Sequence, residues 1–247
     1  MFDAILFDLD DTLLINPVAE SIPAYFELLS HYLEGRVDSP LLVAELLRGI
    51  KAMDANDGTG PTNEEAFDAV FYAGLGSTKE ALGPVFERFY AEEYGKLRSY
   101  TRPLPGAVEI VEWTLTKGIP AVVATNPLYP LTAIQQRLEW AKLPVSEFRF
   151  ARVTSYENSH ATKAHPAYYE EIAAVLGCDP RRCLMVGDDW ARDISPAVEA
   201  GLSVYWIEVP GDPPHPKDLP DPIPERQYLG QGSLRKLLQQ LDGGKNG

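Results

Sequence analysis

The chain has 247 residues, 45% of them hydrophobic and 23% charged, which is the composition of an ordinary soluble globular protein and excludes disordered and fibrous classes. Its net charge of -14 opposes attraction to nucleic-acid backbones and anionic membranes, so a polymer of nucleotides is not an expected partner and any phosphate site must carry its own local positive charge. Two cysteines, Cys178 and Cys183, make neither a disulfide framework nor a zinc spacing, and with no signal-like start and no run of about 18 apolar residues the expected location is cytoplasmic.

In chain order, Ala4-Ile5-Leu6-Phe7 is a short apolar run that ends abruptly in Asp8-Leu9-Asp10-Asp11-Thr12, as a buried parallel strand does on reaching the edge of its sheet. From about Pro17 to Tyr100 strand-like runs vanish and amphipathic helices follow one another, which predicts a small helical domain inserted at 17–100 into a core made of 1–16 and 101–247. Within it, Thr62 with Glu65 and Ser77 with Glu80 have capping-box spacing, and Leu82, Val85, Phe86, Phe89 and Tyr90 form one apolar stripe. Asp54 to Pro61 reads as a loop. Tyr25, Phe26, Tyr72 and Tyr90 can line a pocket for a base or sugar, although aromatic residues on such helices ordinarily serve as core.

After the insertion the runs 119–124, 183–186 and 202–207 are short and apolar, and helices at 106–117, 131–141, 167–176 and 191–200 stand among them, with Gly177 and Gly201 closing the last two. Repeated βα units predict an α/β fold with a doubly wound parallel sheet. The Pro-rich stretch 208–224 reads as extended, a last amphipathic helix at 233–241 packs on the core, and the terminal GGKNG frays.

The chemistry gathers where strands end, because ligands of open α/β sheets sit at the carboxyl edge. Asp8 and Asp10 offer two carboxylates that a turn can bring to one site, where they can divide nucleophilic and acid-base work; for an isolated pair the plainer reading is a solvated loop with Asp11 and Thr12 capping a turn. Thr125 and Asn126 follow the second strand and can bind a phosphoryl oxygen, or simply form a turn. Lys163 precedes a helix and can neutralise carboxylates while holding phosphate. Asp188, Asp189 and Asp193 follow the next strand; their oxygens suit a hard cation such as Mg²⁺, and one of them can cap the helix that follows. His160 and His165 flank Lys163, Trp190 can shield a metal or pack, and Cys183 reads as a small buried hydrophobe.

Taken in order, DLDDT, TN after a strand, a lysine before a helix and GDDWARD resemble the four motifs of haloacid dehalogenase-like hydrolases, and the resemblance spans the core. It implies a Rossmann-like core with a smaller helical cap, and a Mg²⁺-dependent phosphatase that hydrolyses a small phosphorylated metabolite through an aspartyl-phosphate. Residue by residue it implies Asp8 as nucleophile, Asp10 as general acid-base, and Thr125 and Lys163 with Asn126 beside them for phosphoryl binding. The metal falls to Asp8, Asp188 and the backbone carbonyl of Asp10, with Asp193 in support and the role of Asp189 open. An acid at position 10 separates the chain from the dehalogenase branch, whose leaving halide needs no proton. A phosphomutase using the same aspartate pair, and a non-catalytic binding protein of this fold, remain as alternatives. Ala164 departs from the proline common after the lysine, a change offset by Pro166, which still holds the preceding residue extended.

Overall fold

The computed structural model describes residues 2–213, 215 and 221–243. Its centre is a six-stranded sheet in which every pairing is parallel. The strands are β1 (Ala4–Phe7), β4 (Ala121–Val123), β5 (Arg152–Val153), β6 (Cys183–Gly187), β7 (Ser203–Ile207) and β8 (Tyr228–Gly232), in the spatial order β5-β4-β1-β6-β7-β8. Leu14–Ile15 (β2) and Arg102–Pro103 (β3) form a separate antiparallel ribbon. In β1, Ile5 and Phe7 point into one apolar cluster and Ala4 and Leu6 into another, the two-residue period of a strand covered on both faces. Helices α5 (Ala107–Thr116), α6 (Leu131–Trp140) and α9 (Leu234–Gly243) cover the first face, while α7 (Pro166–Leu176) and α8 (Ser195–Glu199) cover the second.

Between β2 and β3 the chain runs through α1 (Val18–Tyr32), α2 (Ser39–Asp54), α3 (Asn63–Gly74) and α4 (Lys79–Glu92), then a 3-10 helix at Tyr94–Tyr100. α3 begins with the expected reciprocal capping box of Thr62 and Glu65. α4 does not start as expected from Ser77 and Glu80: Thr78 is the cap, its side chain accepting from the Ala81 N–H, because the Ser77 N–H is taken by the Tyr72 carbonyl at the end of α3. Asn63 ties this layer to the sheet. Its buried amide donates to the Ala161 carbonyl at 3.1 Å and the Pro127 carbonyl at 3.4 Å, and accepts from Asn56 at 2.9 Å.

The helix expected at 191–200 is two pieces, a π-helical turn at Trp190–Ile194 and then α8. Pro196, which has no N–H to donate, sits at the second position of α8, where none is needed. Strands β5 and β8 escape a sequence reading because one is two residues long and the other carries Gly230 and Gly232 at positive φ on the sheet edge. Cys178 and Cys183 are free thiols, and burial pushes Cys183 up to about 12. Part of the stretch expected to be extended at 208–224, and residues 244–247 of the expected fraying tail, lie outside the described residues. Among the described residues no helix is long and apolar enough to cross a membrane.

Candidate active site

β1 lies between β4 and β6, so the ends of these three strands meet where the chain's winding reverses. A cavity of about 170 Å³ opens there, lined by Asp8, Asp10, Thr125, Asn126, Lys163, Asp188 and Asp193. All the residues expected from sequence to carry chemistry are thereby brought together. Val18, Asp11, Asp189 and Arg192 line it as well.

Asp8 follows β1 and is buried, its N–H donating to the Val186 carbonyl at 2.9 Å. Lys163, also buried, reaches in from the loop before α7, donating to Asp8 Oδ1 at 2.5 Å and contacting Asp193 Oδ1. The Lys163 N–H is in turn held by Asn126 Oδ1 at 3.2 Å, so Asn126 fixes the loop that carries the lysine. Thr125 is buried, and its carbonyl accepts from both Thr154 and Tyr168 at 2.8 Å.

The π-helical turn is what points Asp193 inward. Asp193 Oδ2 accepts from the Asp189 N–H at 3.0 Å and lies against Gly187, where a Cβ would stand 2.3 Å from that oxygen. Asp189 caps the turn, accepting from the Ala191 and Arg192 N–H groups at 2.8 and 3.1 Å. Its open role is thus filled at least by capping. Asp188 has its carbonyl bound by Trp206 Nε1 at 2.6 Å and receives the Thr12 hydroxyl at 3.4 Å.

Carboxylate oxygens of Asp8, Asp188 and Asp193 lie within 4.8 Å of one another. Burial pushes the Asp8 and Asp188 carboxyls well above the usual range; Lys163 opposes this at both sites, but neighbouring carboxylates add to the rise. Burial alone would pull Lys163 down, yet the charges of Asp193 and Asp8 outweigh it and hold the amine protonated. One ammonium therefore faces three acids, Asp8 and Asp193 buried and Asp188 half-buried. That surplus of negative charge on hard oxygen donors fits a divalent cation.

Asp10 stands differently. Its Oδ2 is ion-paired with Arg137 and its Oδ1 accepts from Asn16 Nδ2 at 2.9 Å. Neither partner was expected from sequence. A signal existed for Arg137: Ala133, Ile134, Arg137, Leu138 and Ala141 recur at helical spacing, so a charge stands on the buried stripe of α6, where it needs a partner. Asp11, at φ +56, closes the turn after β1 by accepting from the Asn16 N–H at 2.9 Å, and burial pushes its carboxyl up to about 6. His160 and His165 do not line the cavity and are bonded to Glu171 and to the Asp54 carbonyl. Trp190 packs on Trp206 with ring centroids 4.8 Å apart.

A second cavity, of about 320 Å³, adjoins the first, the two sharing Val18 and Arg192. Tyr25, Phe26, Tyr72 and Tyr90 all line it, and they also pack on the apolar core, so these rings are at once cavity wall and core.

A family model for haloacid dehalogenase-like hydrolases matches residues 2–201. A glyceraldehyde 3-phosphate phosphatase from Methanopyrus kandleri is 24% identical over 204 residues, covering 82% of each chain. A 2-haloacid dehalogenase from Pseudomonas syringae pv. Tomato superposes with a TM-score of 0.63 at 22% identity, covering 99% of this chain and 100% of that one. A HAD phosphatase from Thermococcus onnurineus gives 0.57 at 20% identity over the same shares. At such identities the structural likenesses speak for the fold.

Proposed function

The chain belongs to the haloacid dehalogenase-like hydrolases, and from that premise we propose that it is a Mg²⁺-dependent phosphatase of a small phosphate monoester, working through an aspartyl-phosphate on Asp8. The observation that carries this reading is the acid at position 10, on the cavity wall two residues from a buried Asp8 that a buried lysine holds. A carbon–halogen bond breaks without a proton donor; an alkyl phosphate needs one.

Asp8 and Asp188, with the Asp10 carbonyl, would hold the cation, which when bound offsets charge on the transferring phosphoryl group. Lys163 orients Asp8 through Oδ1 and adds a second positive charge, while Asp193 holds Lys163. Thr125 and Asn126 steady the phosphoryl oxygens. A carboxylate oxygen of Asp8 attacks phosphorus, the bond to the alcohol oxygen breaks, and Asp10 passes a proton to that oxygen. Asp10 then takes a proton from water, whose oxygen attacks phosphorus, and the bond to Asp8 breaks to release inorganic phosphate. The helices of 17–100 act as a cap over the core of 1–16 and 101–247, excluding water during transfer. Support for a small substrate comes from the net charge, which disfavours a polyanionic polymer, and from the named phosphatase relative.

Phosphate release from p-nitrophenyl phosphate tests the reading. It should require a divalent cation, cease on chelation, and vanish in Asp8→Asn, whose amide is a poor nucleophile. Folded Asp8→Asn that still releases phosphate would overturn it.

A further inference from the structure

We infer that the alcohol half of the substrate is apolar, an alkyl or aryl group that enters the 320 Å³ chamber while its phosphate sits at Asp8. The inference rests on the phosphatase reading and goes further by naming the substrate class. The chamber opens directly beside the catalytic cavity, because Val18 and Arg192 belong to the walls of both. A group esterified to a phosphate at Asp8 thus has this space next to it.

The walls decide what fits. Ile22, Phe26, Leu46, Phe67, Phe71 and Phe86 offer no hydrogen-bonding atom. The tyrosine hydroxyls of Tyr25 and Tyr90 are paired with each other at 3.0 Å, and Asp68 is held by Lys79 at 2.7 Å. Burial also pushes the Tyr25 and Tyr90 hydroxyls above their ordinary value, so they stay neutral. A polyol placed here gives up water at each hydroxyl for a wall that is mostly hydrocarbon and ring. An apolar group loses nothing of the kind, and covers Val18 and Leu47, 57% and 46% exposed, which otherwise face water. The volume falls at the lower end of the roughly 300–1,000 Å³ common for small-ligand pockets. At about 30 Å³ for a water-sized group, it accommodates on the order of ten such groups.

The test is a series of primary alkyl phosphates, ethyl to hexyl, beside erythritol 4-phosphate as a polyol matched in length to butyl. The alkanols differ little in acidity, so the slope reports the chamber and not the leaving group. We expect kcat/KM to rise about threefold to fourfold per methylene, and butyl phosphate to exceed the polyol by roughly tenfold or more. Leu47→Asp, a change at an exposed wall position, should flatten the slope. A flat or falling series in the wild type, or a preference for the polyol, overturns the inference while leaving the phosphatase reading intact. No release from any of these esters overturns the inference, and no release from p-nitrophenyl phosphate as well removes both.

Discussion

On the proposed mechanism Asp10 is the residue on which the chemistry turns, because its two duties would fall in different half-reactions. A nitrophenolate leaves without a proton, so Asp10→Ala given p-nitrophenyl phosphate should still form the phosphoenzyme but hydrolyse it slowly. Rapid mixing should show about one equivalent of phenol per site and then a slow steady rate. Equal loss on aryl and alkyl esters, with no burst, would show that Asp10 serves the metal or the local fold. On the same mechanism Arg137 would act through Asp10, as a positioning residue. It holds one carboxylate oxygen while Asn16 holds the other, so the two together fix where the carboxyl points. Arg137→Met should lower kcat roughly tenfold, part of the ~10²–10⁴ that acid-base help supplies, with KM little changed. Stability should fall by about 1–3 kcal/mol, less than the ~3–5 of a fully buried pair, because Asp10 keeps contact with solvent. Arg137→Lys should recover part of the rate, and an unchanged kcat in Arg137→Met would remove it from this role.

At the scale of elements, the end of β6 and the π-helical turn after it act as one unit. Gly187 lets the Asp193 carboxylate lie against the strand, and a Cβ there would stand 2.5 Å from the Asp193 Cβ as well as 2.3 Å from Oδ2. Gly187→Ala should therefore push Asp193 off Lys163, costing about 1–3 kcal/mol and at least tenfold in kcat/KM. Gly118→Ala is the control: at φ +70 it is strained, but nothing lies within 4 Å of its added carbon, so it should destabilise by roughly 1 kcal/mol and leave turnover alone. If both variants affect rate equally, the Gly187 argument fails. The start of α3 is a second such unit, since Asn63 binds the loops that follow Asn126 and precede Lys163. Asn63→Ala leaves Asn56 and the Ala161 carbonyl short of a partner in a buried place. Urea unfolding should show a loss of about 1–3 kcal/mol, and a neutral result would mean that water replaces the amide.

For the whole molecule, the surplus of acid at the site predicts how cation and pH act together. Asp8 and Asp188 are raised in the fold, so they favour folding at low pH and cease to do so as pH climbs through their raised values. Lys163 stays charged throughout and adds no slope of its own in that window. A cation competes with those protons and therefore binds more tightly as pH rises. Melting curves with and without Mg²⁺ should show a larger gain in Tm at pH 8 than at pH 6, and an equal gain at both would mean that the cation binds elsewhere.

The amino-acid order by itself determined the alternation of strand and helix, because short apolar runs and helical stripes are local patterns that burial on a sheet enforces. It also determined the residues gathered at the active edge: Asp8, Thr125, Lys163 and Asp188 each follow a strand or precede a helix, and parallel strands deliver their carboxyl ends to one place. Strand β8, with two glycines, was decided by the room left beside β7, not by propensity. The π-helical turn was decided by the ion pair it lets Asp193 make. Arg137 lies 127 residues from Asp10, and the chamber draws its walls from four helices, two loops of the core and the π-helical turn. Contacts between such distant segments depend on how whole elements pack, which no local pattern encodes, and for that reason the partner of Asp10 and the apolar character of the second cavity are legible only in the folded chain.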